Sequence, residues 1–415
     1  MISKIEKFDL LLGNKKVSNK AYLYAQIIKN ERLRRKMTLQ EMARGICSIS
    51  YLCKFEKNAI SVDEDYIKAI FERVDLDYTK VGSNIIHNGV NEVIKAYLYG
   101  RNDDINHFYT MIDDSLFNVQ NYLIKGFYYL LQNQFADFKN IIKTLDNIKD
   151  TLQLEDVGPF MFLVVEYYIR TNQFSDASKY LQYLDKLTFE CQEINWLIYE
   201  QQFITGYHLK NFSMVNKYFN KLMTQLNIGF PNQRQLIIKL MMLDLNAKQY
   251  FKEVEQEIRN LSFENLENQF SLDVRYWKMV ILLKGDCWFD VYDEIYEQKL
   301  YHNARFAALL LYTVYLLDDE NYINEACELI TNKLYDENDL LHQRFIQFML
   351  MKFKNEKKQV VLDFFKSEIL PHPTISQHHL YHEVYNQFYL DYLVASAKYK
   401  EAFYYSQGLK KIPIA

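Results

Sequence analysis

The run RRKMTLQEMARGICSISYLCKFEKN, residues 34–58, decides how the rest of the chain is read. Thr38-Leu39-Gln40-Glu41 has the pattern of a capping box: the Thr38 hydroxyl accepts from the Glu41 amide, and the Glu41 carboxylate reaches back to the Thr38 amide. Met37 and Met42 stand at the two positions of a hydrophobic staple across that cap. A short helix is therefore expected from Leu39 to about Arg44. Gly45 supplies permissive backbone for a tight turn, and Ser48 is placed to cap a third helix ending near Lys57. In that helix Leu52 and Phe55, with Ile46 before it, repeat at a spacing of three and mark the buried side. Ile49, Ser50 and Lys54 are left facing outward. A second capping box, Ser61-Val62-Asp63-Glu64, predicts a fourth helix through about Val74.

Upstream of the cap, Lys29, Arg32, Arg34, Arg35 and Lys36 fall within eight positions. Residues 20–60 hold nine basic side chains against three acidic ones, a net +6 in a chain whose total is −4, so the remainder carries −10. A basic head on an acidic body is the charge layout of a protein with one nucleic-acid surface and a separate surface for something else.

Four helices in so short a segment, with a tight turn between the second and third, resemble a helix-turn-helix domain of the Xre (lambda-repressor-like) class. The stretch GICSISYLCKFEKN is similar to the reading helix of the RRNPP group of bacterial peptide-pheromone receptors, which includes the Rap, Rgg, NprR, PlcR and PrgX types. The resemblance implies an Arg six residues before the cap paired with a Glu late in the third helix, here Arg32 and Glu56, as a structural ion pair. It implies base reading by Ile49, Ser50 and Lys54, with Lys54 able to donate to guanine, Ser50 to several bases, and Ile49 to touch a thymine methyl. Phosphate contacts are implied for Arg35, Lys36, Gln40, Ser48, Tyr51 and Lys57 and for the amide opening the second helix. Where the class usually places Gln directly after the cap, this chain has Leu39, with Gln40 one position later.

At 415 residues the chain has room for two or three domains, and with 49% hydrophobic and 25% charged residues its composition is globular. Only 11 Gly and 5 Pro occur, too few to punctuate many strands, so an all-α fold is expected. Cys47, Cys53, Cys191, Cys287 and Cys327 are odd in number and widely spaced, which indicates neither a disulfide framework nor a zinc site. A cytoplasmic location is expected, since no apolar run has the length of a signal peptide core or a membrane span.

Beyond the head an aromatic residue recurs after a polar break, at Phe135, Phe174, Phe212, Tyr250, Trp288, Tyr322 and Tyr399. The intervals are 39, 38, 38, 38, 34 and 77, the last being two units. A period of this size, each unit two amphipathic helices, predicts a right-handed tetratricopeptide-like helical solenoid. The expected organisation is an N-terminal extension (1–20), a helix-turn-helix DNA-binding domain (21–78), a connector (79–89) and a repeat domain (90–415) for peptide binding and dimerisation.

With the aromatic as turn marker, the positions expected to face a concave groove are Glu166, Arg170, Glu200, His208, Asn246, Tyr276, Lys284, Gln387 and Asp391. Polar and charged groups in a groove suit an extended peptide, whose amides and charged ends need partners. The cluster HPTISQHHLYHE puts His378 and His382 four apart on one helix face, but no HExxH arrangement or completing Cys or Asp accompanies them, so a helix start is read there rather than a metal site. No Gly-rich phosphate loop or activated nucleophile is present, and neither an enzyme nor a cofactor is expected.

The resulting expectation is a cytoplasmic, homodimeric transcription regulator that reads an inverted-repeat DNA operator and is controlled by a short signalling peptide, as in quorum sensing. The rival is a solenoid adaptor that sequesters a response regulator or other protein partner, with DNA binding secondary.

Overall fold

The computed structural model describes residues 21–82, 86, 88–224, 231–259, 268–331, 333–335, 339–372, 375 and 380–411. Among the described residues every regular element is helical, and no helix is long and apolar enough to cross a membrane. The extension expected at 1–20 lies outside them. The chain divides into two compact units, Met1–Thr205 and Gly206–Ala415.

The first unit opens with α1 (Ala21–Arg34), α2 (Leu39–Ala43), α3 (Ile49–Glu56) and α4 (Glu64–Arg73). They enclose Ile28, Met42, Leu52, Phe55, Ile70 and Phe71, each at most 2% exposed. Full burial of such side chains contributes about 1.5–3 kcal/mol apiece, and Leu52 and Phe55 are the pair whose spacing marked the inner side of α3. The first capping box forms: the Glu41 amide lies 3.1 Å from the Thr38 hydroxyl, and the Thr38 amide donates to the Glu41 carboxylate at 2.7 Å. Ser48 caps α3 by accepting from the Tyr51 amide at 3.1 Å. The second box does not form as expected. Asp63 itself caps α4, its carboxylate accepting from the Asp65 amide at 3.0 Å, so Ser61 has no capping role and the helix starts at Glu64.

The remainder of this unit consists of successive helical hairpins. α5 (Gly89–Leu98) pairs with α6 (Asn102–Thr110), α7 (Val119–Leu131) with α8 (Phe135–Asn147), and α9 (Leu154–Arg170) with α10 (Phe174–Leu184). Within this set α5 also packs on α7, and α7 on α9. Two glycines permit close approach: a Cβ on Gly126 would meet Leu163 at 2.7 Å, and one on Gly158 would meet Phe189 at 2.9 Å. α11 (Gln192–His208) runs across the division between the units.

The second unit repeats the arrangement with α12 (Phe212–Thr224), α13 (Asn232–Asn246), α14 (Phe251–Arg259), α15 (Asn268–Lys284), α16 (Trp288–Glu297), α17 (Ala304–Leu317), α18 (Glu320–Ile330), α19 (Leu340–Phe353), α20 (Lys358–Phe364), α21 (His382–Ala395) and α22 (Tyr399–Lys411). Here α13 packs on α15, and α17 on α19, again skipping the intervening helix.

The recurring aromatics sit just after the turns. Phe135, Phe174, Phe212, Trp288 and Tyr399 are the first residues of their helices, and Tyr250 directly precedes α14. The turn itself is made by a left-handed residue two positions earlier: Asn133, Asn172, Lys210, Asp286 and Ala397, with φ between 55° and 60°. A backbone bond then closes each helix end, as from the Gln134 amide to the Tyr129 carbonyl at 2.9 Å and from the Lys398 amide to the Leu393 carbonyl at 2.9 Å. This is the Schellman closure, which satisfies carbonyls a helix end leaves open. Tyr322 departs from the rule, because Asp318 is the left-handed residue and Asp319 caps α18 three residues before the aromatic.

Candidate functional site

α3 is held at both ends. Ser48 caps its start, and at its end both oxygens of the nearly sealed Glu56 carboxylate receive the Arg32 guanidinium at 2.6 Å. The hydrogen bonds to Glu56 raise the Arg32 pKa although burial opposes the charge. Arg32 also donates to the Met37 carbonyl at 3.0 Å, which fixes the chain entering α2. Arg73 of α4 donates to the Glu41 carbonyl at 3.0 Å, covering the end of the short α2.

The outer side of α3 carries Ile49, Ser50 and Lys54, all exposed, with Ile49 open to 47%. Gln40 and Lys57 are exposed beside them. Tyr51 is half-buried against Tyr66 of α4, the ring centres 5.5 Å apart. Ser48 spends its hydroxyl oxygen on the cap.

Four of the five basic residues before the cap are ion-paired within the protein, and this corrects the reading of the run as an open positive surface. Lys29 is buried against Asp150, and Arg32 is paired with Glu56. Arg34 and Arg35 both hold the Glu31 carboxylate, whose pKa is lowered chiefly by the Arg34 hydrogen bond against the effect of burial. Arg35 further donates to the Val74 carbonyl, so it braces the head rather than reaching outward. Among the described residues, the head cations that keep both exposure and freedom from a carboxylate are Lys36, Arg44, Lys54 and Lys57. Arg44, between α2 and α3, was not among the residues expected to touch phosphate.

The residues expected to line a groove fall into separate groups. In the first unit Glu166 and Arg170 meet at 3.1 Å and share the Tyr97 hydroxyl, which donates to Glu166 at 2.7 Å and accepts from Arg170 at 3.0 Å. Gln201 donates to the second Glu166 oxygen at 3.0 Å. Burial raises the Glu166 carboxyl, but Arg170, Gln201 and Tyr97 together hold it below its ordinary value. Both side chains are deeply surrounded yet keep 16% and 22% of their surface open. Glu200 is buried, at 9% exposure, rather than projecting.

In the second unit Lys284 stands 2.6 Å from the buried Asp244 carboxylate, which also accepts from the Tyr207 hydroxyl. Tyr276 belongs to the core at 4% exposure, its ring 4.6 Å from the Arg305 guanidinium, so it does not face a groove. His208 is half-buried at the end of α11, and burial pushes its pKa down to about 3. Asn246 is exposed and donates to the Met242 carbonyl at 3.2 Å, while Gln387 donates to both Asp391 oxygens at 3.1 Å on an exposed face of α21.

His382 opens α21, and His378 and His379 lie outside the described residues. Among the described residues no group of three or more His, Cys, Asp or Glu is placed to hold a metal ion. Sequence reading missed Tyr97, Gln201, Asp244 and Tyr207 because each meets its partner across 35 to 73 residues, in a helix-to-helix contact that no local spacing announces. No protein-family model, no curated protein and no solved structure matches the chain.

Proposed function

We propose that the chain is a DNA-binding transcription regulator: a helix-turn-helix head that reads duplex DNA with α3, followed by a tetratricopeptide-like solenoid that binds a short signalling peptide. The observation that carries the reading is α3 itself. It is capped, pinned by Arg32 to Glu56, sealed on the side of Leu52 and Phe55, and open on the side of Ile49, Ser50 and Lys54, where Lys54 has no carboxylate partner among the described residues. Nothing described inside the protein needs a cation there. A base edge or a phosphate would use it.

The body reading is supported by hairpins of similar length whose first helices pack on one another, α5 on α7 on α9 and α13 on α15, as stacked repeats do. The partly open Glu166 and Arg170 pair offers an acceptor and a donor of the kind an extended peptide requires. A head of this size covers few base pairs, so a homodimer on an inverted repeat is part of the proposal.

The test is a titration of the protein on its own promoter fragment at two salt concentrations, wild type beside Lys54→Glu. Saturable binding that weakens with salt and disappears in the variant is the expected result. Binding that the variant retains, or none by wild type with and without candidate peptides, would overturn the reading in favour of the adaptor.

A further inference from the structure

Ala25 to Lys29 of α1 are buried at every consecutive position. Five positions cover more than one helical turn, so α1 is enclosed on two sides. One side is the head core, through Ala25 and Ile28. The other is the body, where the short 3₁₀ turn Lys149–Thr151 joins α8 to α9. Gln26, 1% exposed, donates to the Thr151 carbonyl at 3.2 Å. One turn on, Lys29 forms its ion pair with Asp150, the lysine side chain 11% and the aspartate 33% exposed. Phe117, between α6 and α7, packs on the head core from the same unit. Tyr22 at the start of α1 is close enough to the opening of α9 that, after burial, Asp156 and Glu155 are the next largest causes of its raised pKa.

The seat is polar and continues into the reading helix. Arg32 lies three residues after Lys29 on α1 and holds Glu56 at the end of α3. Any shift of α1 against the 149–151 turn carries α3 with it, because the Arg32 fork and the shared core leave no slack between them. We infer that Gln26 and Lys29 are positioning residues: with Thr151 and Asp150 they fix the angle at which the body presents α3, and so select which spacing of DNA half-sites the protein accepts. This rests on the reading of the head as a DNA reader. The direct readers stay on α3; Lys29, although part of the basic run, acts through its seat and not on phosphate.

The experiment uses the full chain as wild type, Asp150→Asn, Lys29→Met, and the exchanged pair Lys29→Asp with Asp150→Lys. Lys29→Met covers the case in which an unpaired buried lysine disturbs folding. Amide hydrogen exchange without DNA reads the seat, and titration on duplexes with inverted half-sites at graded separations reads the selection. The expected result is exchange at least about tenfold faster in α1 and at 149–151 in the two single variants, with α3 still protected and the exchanged pair restoring the wild-type pattern. On DNA, wild type should prefer one separation by roughly tenfold over one about two base pairs longer, and the single variants by no more than about twofold. Unchanged exchange in both single variants would overturn the seat. Faster exchange with an unchanged separation preference would overturn the positioning role alone. If wild type binds no duplex at all, the DNA reading fails and the positioning role falls with it, whatever the exchange shows.

Discussion

Arg32 and Glu56 form a two-pronged bond, Nε and Nη2 each 2.6 Å from a separate carboxylate oxygen, in a site where both side chains are nearly sealed from water. Removing one partner of such a pair leaves a buried charge without its counter-ion and costs about 3–5 kcal/mol. Arg32→Ala should lose that much stability in the head, and Arg32→Lys a smaller part, because an ammonium cannot reproduce the planar fork. Urea unfolding followed by a probe in α1 or α3 checks this. A loss under about 1 kcal/mol for the alanine variant would mean that the pair has little structural role.

The free and the occupied cations of the head should separate in their salt response. Lys57→Gln and Arg44→Gln should each reduce the slope of log affinity against log salt by about 0.9, the value for one phosphate no longer neutralised. Arg35→Gln should leave the slope unchanged and lower the melting temperature instead, since Glu31 and the Val74 carbonyl lose a donor. An equal slope change in all three would show that Arg35 leaves its internal partners to meet DNA.

Ala397 holds φ 57°, a conformation in which a Cβ crowds the following carbonyl. Ala397→Gly should raise stability by up to about 1 kcal/mol, less the extra freedom glycine gives the unfolded chain. Thermal unfolding of the two proteins side by side decides it, and a lower melting point for the glycine variant would contradict the turn geometry.

Gly285, at the end of α15, would place an added Cβ 1.9 Å from the Phe251 ring of α14. Gly285→Ala should lower stability by about 1–3 kcal/mol through overpacking. Combining it with Phe251→Leu should recover part of that loss, and additive effects in the double-mutant cycle would show that the two positions do not touch.

Burial holds His208 neutral down to about pH 3, whereas an unfolded histidine takes up its proton near pH 6.5. The folded-state value is the depressed one, so the stabilising contribution is complete above about pH 6.5 and declines as the pH falls towards 3. The slope is at most about 1.4 kcal/mol per pH unit for one proton. His208→Gln should flatten the fall in stability between pH 7 and 5. The same fall in both proteins would assign the acid sensitivity elsewhere.

The parts of the fold that were legible in the sequence are those written within a few residues. The Thr38 and Glu41 box, the Ser48 cap and the inward pair Leu52 and Phe55 depend on residues three positions apart. The aromatic marker located the hairpin turns for a similar reason. The left-handed residue at each turn was half visible: Asn133, Asn172 and Asp286 belong to types that favour this conformation, but Lys210 and Ala397 carry no such preference. The groove positions were less secure because one residue of register rotates a side chain by about 100° around a helix, enough to move Tyr276 from an open face into the core. The burial of Lys29 has no local signal, because its partner Asp150 lies 121 residues away.

The two-sided burial of α1 changes what counts as a module in this chain. A cut in the connector would look natural, since charge, motif and composition all change there. The piece removed would nevertheless leave behind Phe117, Asp150 and the Thr151 carbonyl, which complete its first helix. A chimaera grafting residues 21–78 onto another repeat array would inherit the reading surface and lose the foundation beneath it. The portable fragment is the longer one, running through the start of α9.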